Sequence, residues 1–265
     1  MLGHKALVKI CSAFIEPNSI VSSEKLPNGL SNDNFLIRTN HSAYLLKCYK
    51  THWPTIALKA QQQLSKGAIC PAPVWLDKQN QRAAFEYIEG DISNSLAIKL
   101  LVKKLVKIHR YTIKTKPMDL PRELLFYQHS PVYKQYQTAI KNALQLIQNM
   151  PFDEGFCHND LVKDNIITNL QGVYLIDFEY AKTNDLYFDL AALAINFKLS
   201  KEREIELLQC YASYADDFVA SLKKLNCYKL LFLVLSIGWY EQRNINNKGI
   251  TLRAQLQELT NLVIF

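Results

Sequence analysis

Between Cys157 and Tyr180 the chain places its most reactive side chains around one short β-hairpin, in a region otherwise patterned for helix. His158-Asn159-Asp160-Leu161-Val162-Lys163-Asp164-Asn165 leads into apolar Ile166–Thr168. A turn at Asn169-Leu170-Gln171-Gly172 follows, then Val173–Ile176, then Asp177. The two ends of a hairpin lie close in space, so Asp160, Asn165 and Asp177 are expected to converge. Asp or Asn alone is an ordinary turn residue. A carboxylate flanked by Ile176 and Phe178 is costly to bury without a partner. Hard oxygen ligands of this kind suit Mg²⁺ shared with substrate phosphates. A further carboxylate that binds no metal can take a proton from a hydroxyl. A base Asp, an Asn and a second Asp on magnesium are the parts of phosphoryl transfer.

The rest of the chain supplies a setting for such a site. Val21–Leu26, Phe35–Arg38, Ala43–Lys47, Val74–Leu76 and Ala83–Ile88 read as five short strands, with turns at Pro27-Asn28-Gly29, 39–42 and 77–80. Pro54 opens a helix that Gly67 closes. After Gly90-Asp91 helical spacing takes over. Leu96, Leu100, Leu101, Leu105 and Ile108 share one face, and further helices are expected near 132–149, 188–199, 201–224, 227–243 and 250–262. This predicts an α+β chain of two lobes with a cleft between them: residues 1–89 as a small β-rich lobe, and 90–265 as a larger, mostly helical one.

Charge divides further along the chain, near its middle. Residues 1–150 hold 20 Lys and Arg against 9 Asp and Glu, whereas 151–265 hold 11 against 15. A basic first half suits a polyphosphate, and an acidic second half suits a cation or metal. That split argues against a surface that wraps nucleic acid. Six cysteines without a CxxC pair fit reduced thiols rather than zinc or disulfides, and so a cytoplasmic setting. No signal peptide is read at the N-terminus, and the apolar run Leu230–Tyr240 is too short for membrane insertion.

His158-Asn159-Asp160…Asn165, Ile176-Asp177-Phe178-Glu179-Tyr180 and Phe188-Asp189-Leu190-Ala191 together resemble the kinase-like small-molecule phosphotransferases. That family includes choline, ethanolamine and thiamine kinases and aminoglycoside phosphotransferases. The resemblance implies a protein-kinase-like fold, with ATP and Mg²⁺ as cofactors and a small alcohol as acceptor. It assigns Asp160 to the acceptor hydroxyl and Asn165 and Asp177 to the metal. Gly29-Leu30-Ser31-Asn32 is similar to the family's phosphate loop, giving Gly29, Ser31 and Asn32 to the nucleotide. Lys47 stands where the family places its phosphate-binding cation. Phe85–Gly90 looks like the hinge, giving Glu86 and Ile88 to adenine. Asp189 resembles the Asp that braces the catalytic loop, and His109 reads as a packing or capping histidine.

Gly238-Trp239-Tyr240-Glu241-Gln242-Arg243 resembles the final helices of bacterial thiamine kinases. A cationic substrate is implied, held by an aromatic face, with Trp239 preferred over Tyr240, and by Glu179, Asp185 and Glu241. Thiamine is the first expectation, choline or ethanolamine the second and an aminoglycoside the third. A nucleotide-binding module without turnover is the alternative of a different class. One departure stands out. No acidic residue occurs between Asp33 and Asp77, so the first-lobe helix has no Glu to pair with Lys47.

Overall fold

The computed structural model describes residues 3–27, 31–92, 95, 97–113 and 115–262, without the side chains of 246 and 248. Gly29 and Leu96 lie outside the described residues. The chain forms two compact units, Met1–Asp91 with Ile167–Glu179, and Ile92–Ile166 with Tyr180–Phe265. The hairpin bearing Asp177 therefore clusters with the first unit.

The first unit opens with helix α1 (His4–Cys11), followed by strands β1 (Ile20–Lys25), β2 (Asp33–Thr39) and β3 (Ala43–Cys48). Helix α2 (Thr55–Leu64) comes next, then β4 (Pro73–Asp77) and β5 (Arg82–Glu86). The antiparallel sheet runs β1-β2-β3-β5-β4. Period-two alternation gives it two buried faces. Phe35, Ile37, Leu46 and Ala84 pack beneath Leu7, Cys11 and Ile15, a face that α1 covers. Leu45, Ala83 and Phe85 turn the other way, onto Leu58 of α2 with Tyr49 and Trp53. Lys47 shares that second face by alternation with Leu45 and Tyr49. The closing left-handed residue after α2 is Ala68 (φ 52°), not Gly67, because the helix tightens into a 3₁₀ turn over Ser65–Gly67 first.

A short strand β6 (Asp91–Ile92) precedes the second unit's helices α3 (Ile98–His109), α4 (Leu120–Leu125), α5 (Pro131–Gln135) and α6 (Gln137–Gln148). Strand β7 (Glu154–Cys157) leads to the polar loop, and the hairpin is β8 (Ile166–Asn169) and β9 (Gly172–Leu175). The chain ends with β10 (Lys182–Asp185), α7 (Tyr187–Asn196), α8 (Lys201–Ala212), α9 (Leu222–Gln242) and α10 (Asn246–Leu262). Strand β8 lies between β6 and β9. At Gly90 an added Cβ would sit 2.6 Å from the Thr168 carbonyl oxygen, so only glycine lets the chain pass the hairpin so closely.

Several helical expectations change in detail. The face of α3 is Ile98, Leu101, Val102, Leu105 and Ile108, and Leu100 is exposed. The stretch 132–149 breaks at Tyr136, whose φ of −107° is not helical. The stretch 201–224 ends at Ala212, where the Ser213 hydroxyl donates to Cys210 O, and Ser221 caps α9 by accepting Lys224 N–H. The strand pair β7 and β10, aligned Cys157 to Lys182, was hidden because neither strand is a continuous apolar run. In the second unit α7 is buried from Tyr187 to Ile195 and packs on α9, which also meets α5, α6 and α10.

Candidate active site

In the second unit, β7 delivers its polar loop directly onto Asp189 at the start of α7. The Asp189 carboxylate is fully buried and accepts the N–H groups of His158 (2.7 Å) and Asn159 (2.8 Å). It also meets His109 Nε2 at 3.0 Å, and His109 Nδ1 lies 2.7 Å from the Tyr211 hydroxyl. Asp189 is thus a brace, and His109 a member of its network rather than a helix cap. The loop needs this support because Asn159 is left-handed, at φ 63°. Asn tolerates that region better than most residues. Its side-chain amide donates to the carbonyls of Cys157, Tyr180 and Lys182, and its oxygen accepts from Asn184, which ties the loop to β10.

Asp160 follows immediately. Asn165 turns its Nδ2 onto the Asp160 carbonyl (2.8 Å) and carboxylate (3.0 Å). The donor end of the amide is engaged there, so Oδ1 is the end it presents elsewhere, and an amide oxygen is a hard ligand suited to Mg²⁺. Tyr240 of α9 lies within the electrostatic reach of this loop. Burial, and then the negative charges of Asp160 and Asp164, push its hydroxyl above the ordinary tyrosine range.

The first unit holds a separate cluster. Lys47 is 7% exposed at its side chain, and its Nζ lies 2.5 Å from Asp177 Oδ1 and 3.2 Å from Glu179 Oε2. Burial alone would depress the ammonium; the two carboxylates more than reverse this, and it is held well above its usual range. The partner missing from α2 is therefore supplied by the segment after β9. Asn32 donates to Glu179 and accepts Lys50 N–H, which links the start of β2 to the same carboxylate. Asp177 is one-third exposed and left-handed (φ 63°), a strained setting for a residue that is not glycine. Ser31 is half-buried.

The hinge segment borders a cavity of about 310 Å³ lined by Tyr87, Ile88, Glu89, Asn169, Leu170 and Gln171. Glu86 lies outside that lining, and its N–H already donates to Ala72 O, so it has no N–H for adenine. Ile88 is the hinge residue on the cavity wall.

Three residues expected at the substrate have partners of their own. Asp185 is 1% exposed and paired with Lys224 at 2.6 Å, and it also accepts the N–H groups of Asp153 and Tyr187. It braces the core and is closed to a ligand. Glu241 accepts Val132 N–H and pairs with Arg253 of α10, so its oxygens are taken. The Arg243 guanidinium lies 3.8 Å from the Trp239 ring centroid, covering a face expected to be open for a cation. Lys224 and Arg253 gave no motif signal, whereas Arg243 closes the 238–243 segment; a lysine inside the apolar face of α9 was the hint available for Lys224.

The phosphotransferase enzyme family profile matches residues 22–220, three-quarters of the chain. The chain belongs to this family. Among curated relatives, this phosphotransferase is 25% identical over 196 residues to the Protein LicA homolog of Mycoplasma capricolum, covering 66% of this chain and 79% of that one. It is 24% identical over 229 residues to the thiamine kinase of Shigella dysenteriae, covering 82% and 81%. The structure of choline kinase LicA from Streptococcus pneumoniae superposes with a TM-score of 0.81 at 22% identity, over 98% of this chain and 99% of that one. The fold is the kinase-like one expected, and the phosphotransferase is a small-molecule kinase. No helix among its described residues is long and apolar enough to cross a membrane.

Proposed function

We propose that this kinase transfers the γ-phosphoryl group of ATP, with Mg²⁺, to the alcohol of a small cationic metabolite, thiamine first among candidates. The observation that carries the cationic acceptor is Tyr240. An aromatic side chain whose hydroxyl feels the negative charges of Asp160 and Asp164 offers a positive, partly apolar molecule a π-face within an anionic field. Thiamine is supported by the 238–243 segment and by a thiamine kinase relative matched over 82% of this chain. Choline is the second reading, supported by the LicA relative and the choline kinase fold likeness.

In this reading Asp160 orients the acceptor hydroxyl and takes its proton as the O–P bond forms. Asp189 fixes the loop that carries Asp160. Lys47, with Ser31, Asn32 and the Gly29 loop, holds the nucleotide phosphates, and Ile88 meets the base. Asn165 and Asp177 are assigned to Mg²⁺, which would neutralise charge on the transferring phosphates. The setting is cytoplasmic.

The test is ATP consumption with Mg²⁺ against thiamine, choline, ethanolamine and an aminoglycoside, with the product identified by mass. Thiamine monophosphate as the preferred product supports the reading. Phosphocholine as the preferred product supports the second. Turnover of the aminoglycoside alone would refute both.

A further inference from the structure

Helix α2 cannot steady the phosphate-binding lysine. No acidic residue lies between Asp33 and Asp77, and the α2 residues after Leu58 are Lys59, Ala60, three glutamines and Leu64. Yet Lys47 is buried on the sheet face that α2 covers, and a buried ammonium requires a lasting counter-charge. Two carboxylates meet it. Asp177 is the more exposed and is the one assigned to the metal, so it is not a dedicated partner. Glu179 is 9% exposed at its side chain, 3.2 Å from Lys47 Nζ, and held in place by the Asn32 amide.

We infer that Glu179 is the positioning residue for Lys47: it does from the segment after β9 what a helix glutamate would do from α2, and Asn32 sets its orientation. This rests on the reading that Lys47 meets the nucleotide phosphates, and it replaces the expectation that Glu179 contacts the acceptor. Asn32, Glu179 and Lys47 are thus linked side chain to side chain.

The test uses the full chain with Glu179→Gln and, should that variant melt early, Asn32→Ala, which leaves the carboxylate in place but unanchored. For Glu179→Gln the ATP dissociation constant and KM should rise about 10- to 100-fold, the range expected when a charged group's position is lost. The acceptor KM should stay within about threefold. Asn32→Ala should shift ATP in the same direction by a smaller factor. Lys47 should also be acetylated several-fold faster by an acetyl-succinimide ester, read by peptide mass spectrometry. A rise in acceptor KM with ATP binding unchanged would overturn the inference and return Glu179 to the substrate. Unchanged Lys47 acetylation in Glu179→Gln would overturn it as well. If the wild-type protein bound no ATP, the reading of Lys47 would fail, and the acetylation rate would still decide whether Glu179 holds it.

Discussion

Replacing Asp189 by Asn changes almost no volume but removes the charge on which the catalytic loop hangs. Oδ1 accepts Asn159 N–H, while Oδ2 accepts His158 N–H and faces His109 Nε2. An asparagine offers one oxygen and one donor nitrogen. Whichever way the amide turns, one backbone N–H meets an N–H₂ group. With the amide oxygen turned toward His158 and the nitrogen toward Asn159, one buried donor is unsatisfied, at about 1–3 kcal/mol. The surviving bonds also lose their charge assistance, about 1 kcal/mol each. The total is about 2–5 kcal/mol, within the roughly 5–15 kcal/mol that holds a domain folded. For a chain of this size that is a fall in melting temperature of about 5–15 °C. Asn159 would then relax from its left-handed conformation and release Asp160 with it. Scanning calorimetry and steady-state kinetics on Asp189→Asn should show both the lower melting temperature and a kcat loss larger than any change in ATP affinity. A melting temperature within about 2 °C of wild type, with kcat intact, would show that the three contacts do not hold the loop.

Asp160→Asn should lower kcat by about 10²–10⁴-fold with ATP affinity, measured by calorimetry, nearly unchanged, since the lost carboxylate acts on the acceptor hydroxyl. Tyr240→Ala should raise the acceptor KM several-fold while Trp239→Ala changes it less, because Arg243 already covers the Trp239 ring; the reverse order would return the cation to Trp239. Gly238→Ala should lower the melting temperature by a few degrees although alanine favours helices by about 1 kcal/mol, because its Cβ would lie 2.8 Å from Tyr127 Cγ, a ring atom that cannot swing aside. A stabilised Gly238→Ala variant would mean that α9 and Tyr127 separate freely.

The strands and the hairpin were legible because period-two apolar runs between turn residues state their own boundaries, and β1 to β5 fall within a few residues of the runs that announce them. The polar loop was legible because Asp160, Asn165 and Asp177 carry chemistry at a characteristic spacing. What escaped notice was pairing. Asp185, Glu241 and Glu179 look alike in sequence, as acids near the site. Lys224, Arg253 and Lys47 decide what each is for, at separations of 39, 12 and 132 residues. Strands β7 and β10 were missed for a related reason. Gly155, Cys157, Lys182 and Asn184 form a ladder through backbone groups, with no apolar alternation for a sequence reading to detect.

The charge division along the chain takes on a different meaning once the hairpin's place is known. The first 91 residues hold a buried lysine on a sheet face with no acid near it in sequence. The carboxylates that make that burial tolerable, Asp177 and Glu179, belong to the acidic half by number and to the first unit by packing. The same segment is anchored by backbone bonds, since Leu175 N–H donates to Ile69 O and Asn169 donates to Glu89 O. Lys47 therefore acquires its counter-charge only when residues about 130 positions away return to the sheet. The segment that brings them, Ile167–Glu179, begins two residues after Asn165 and ends just past Asp177, the two residues assigned to the metal.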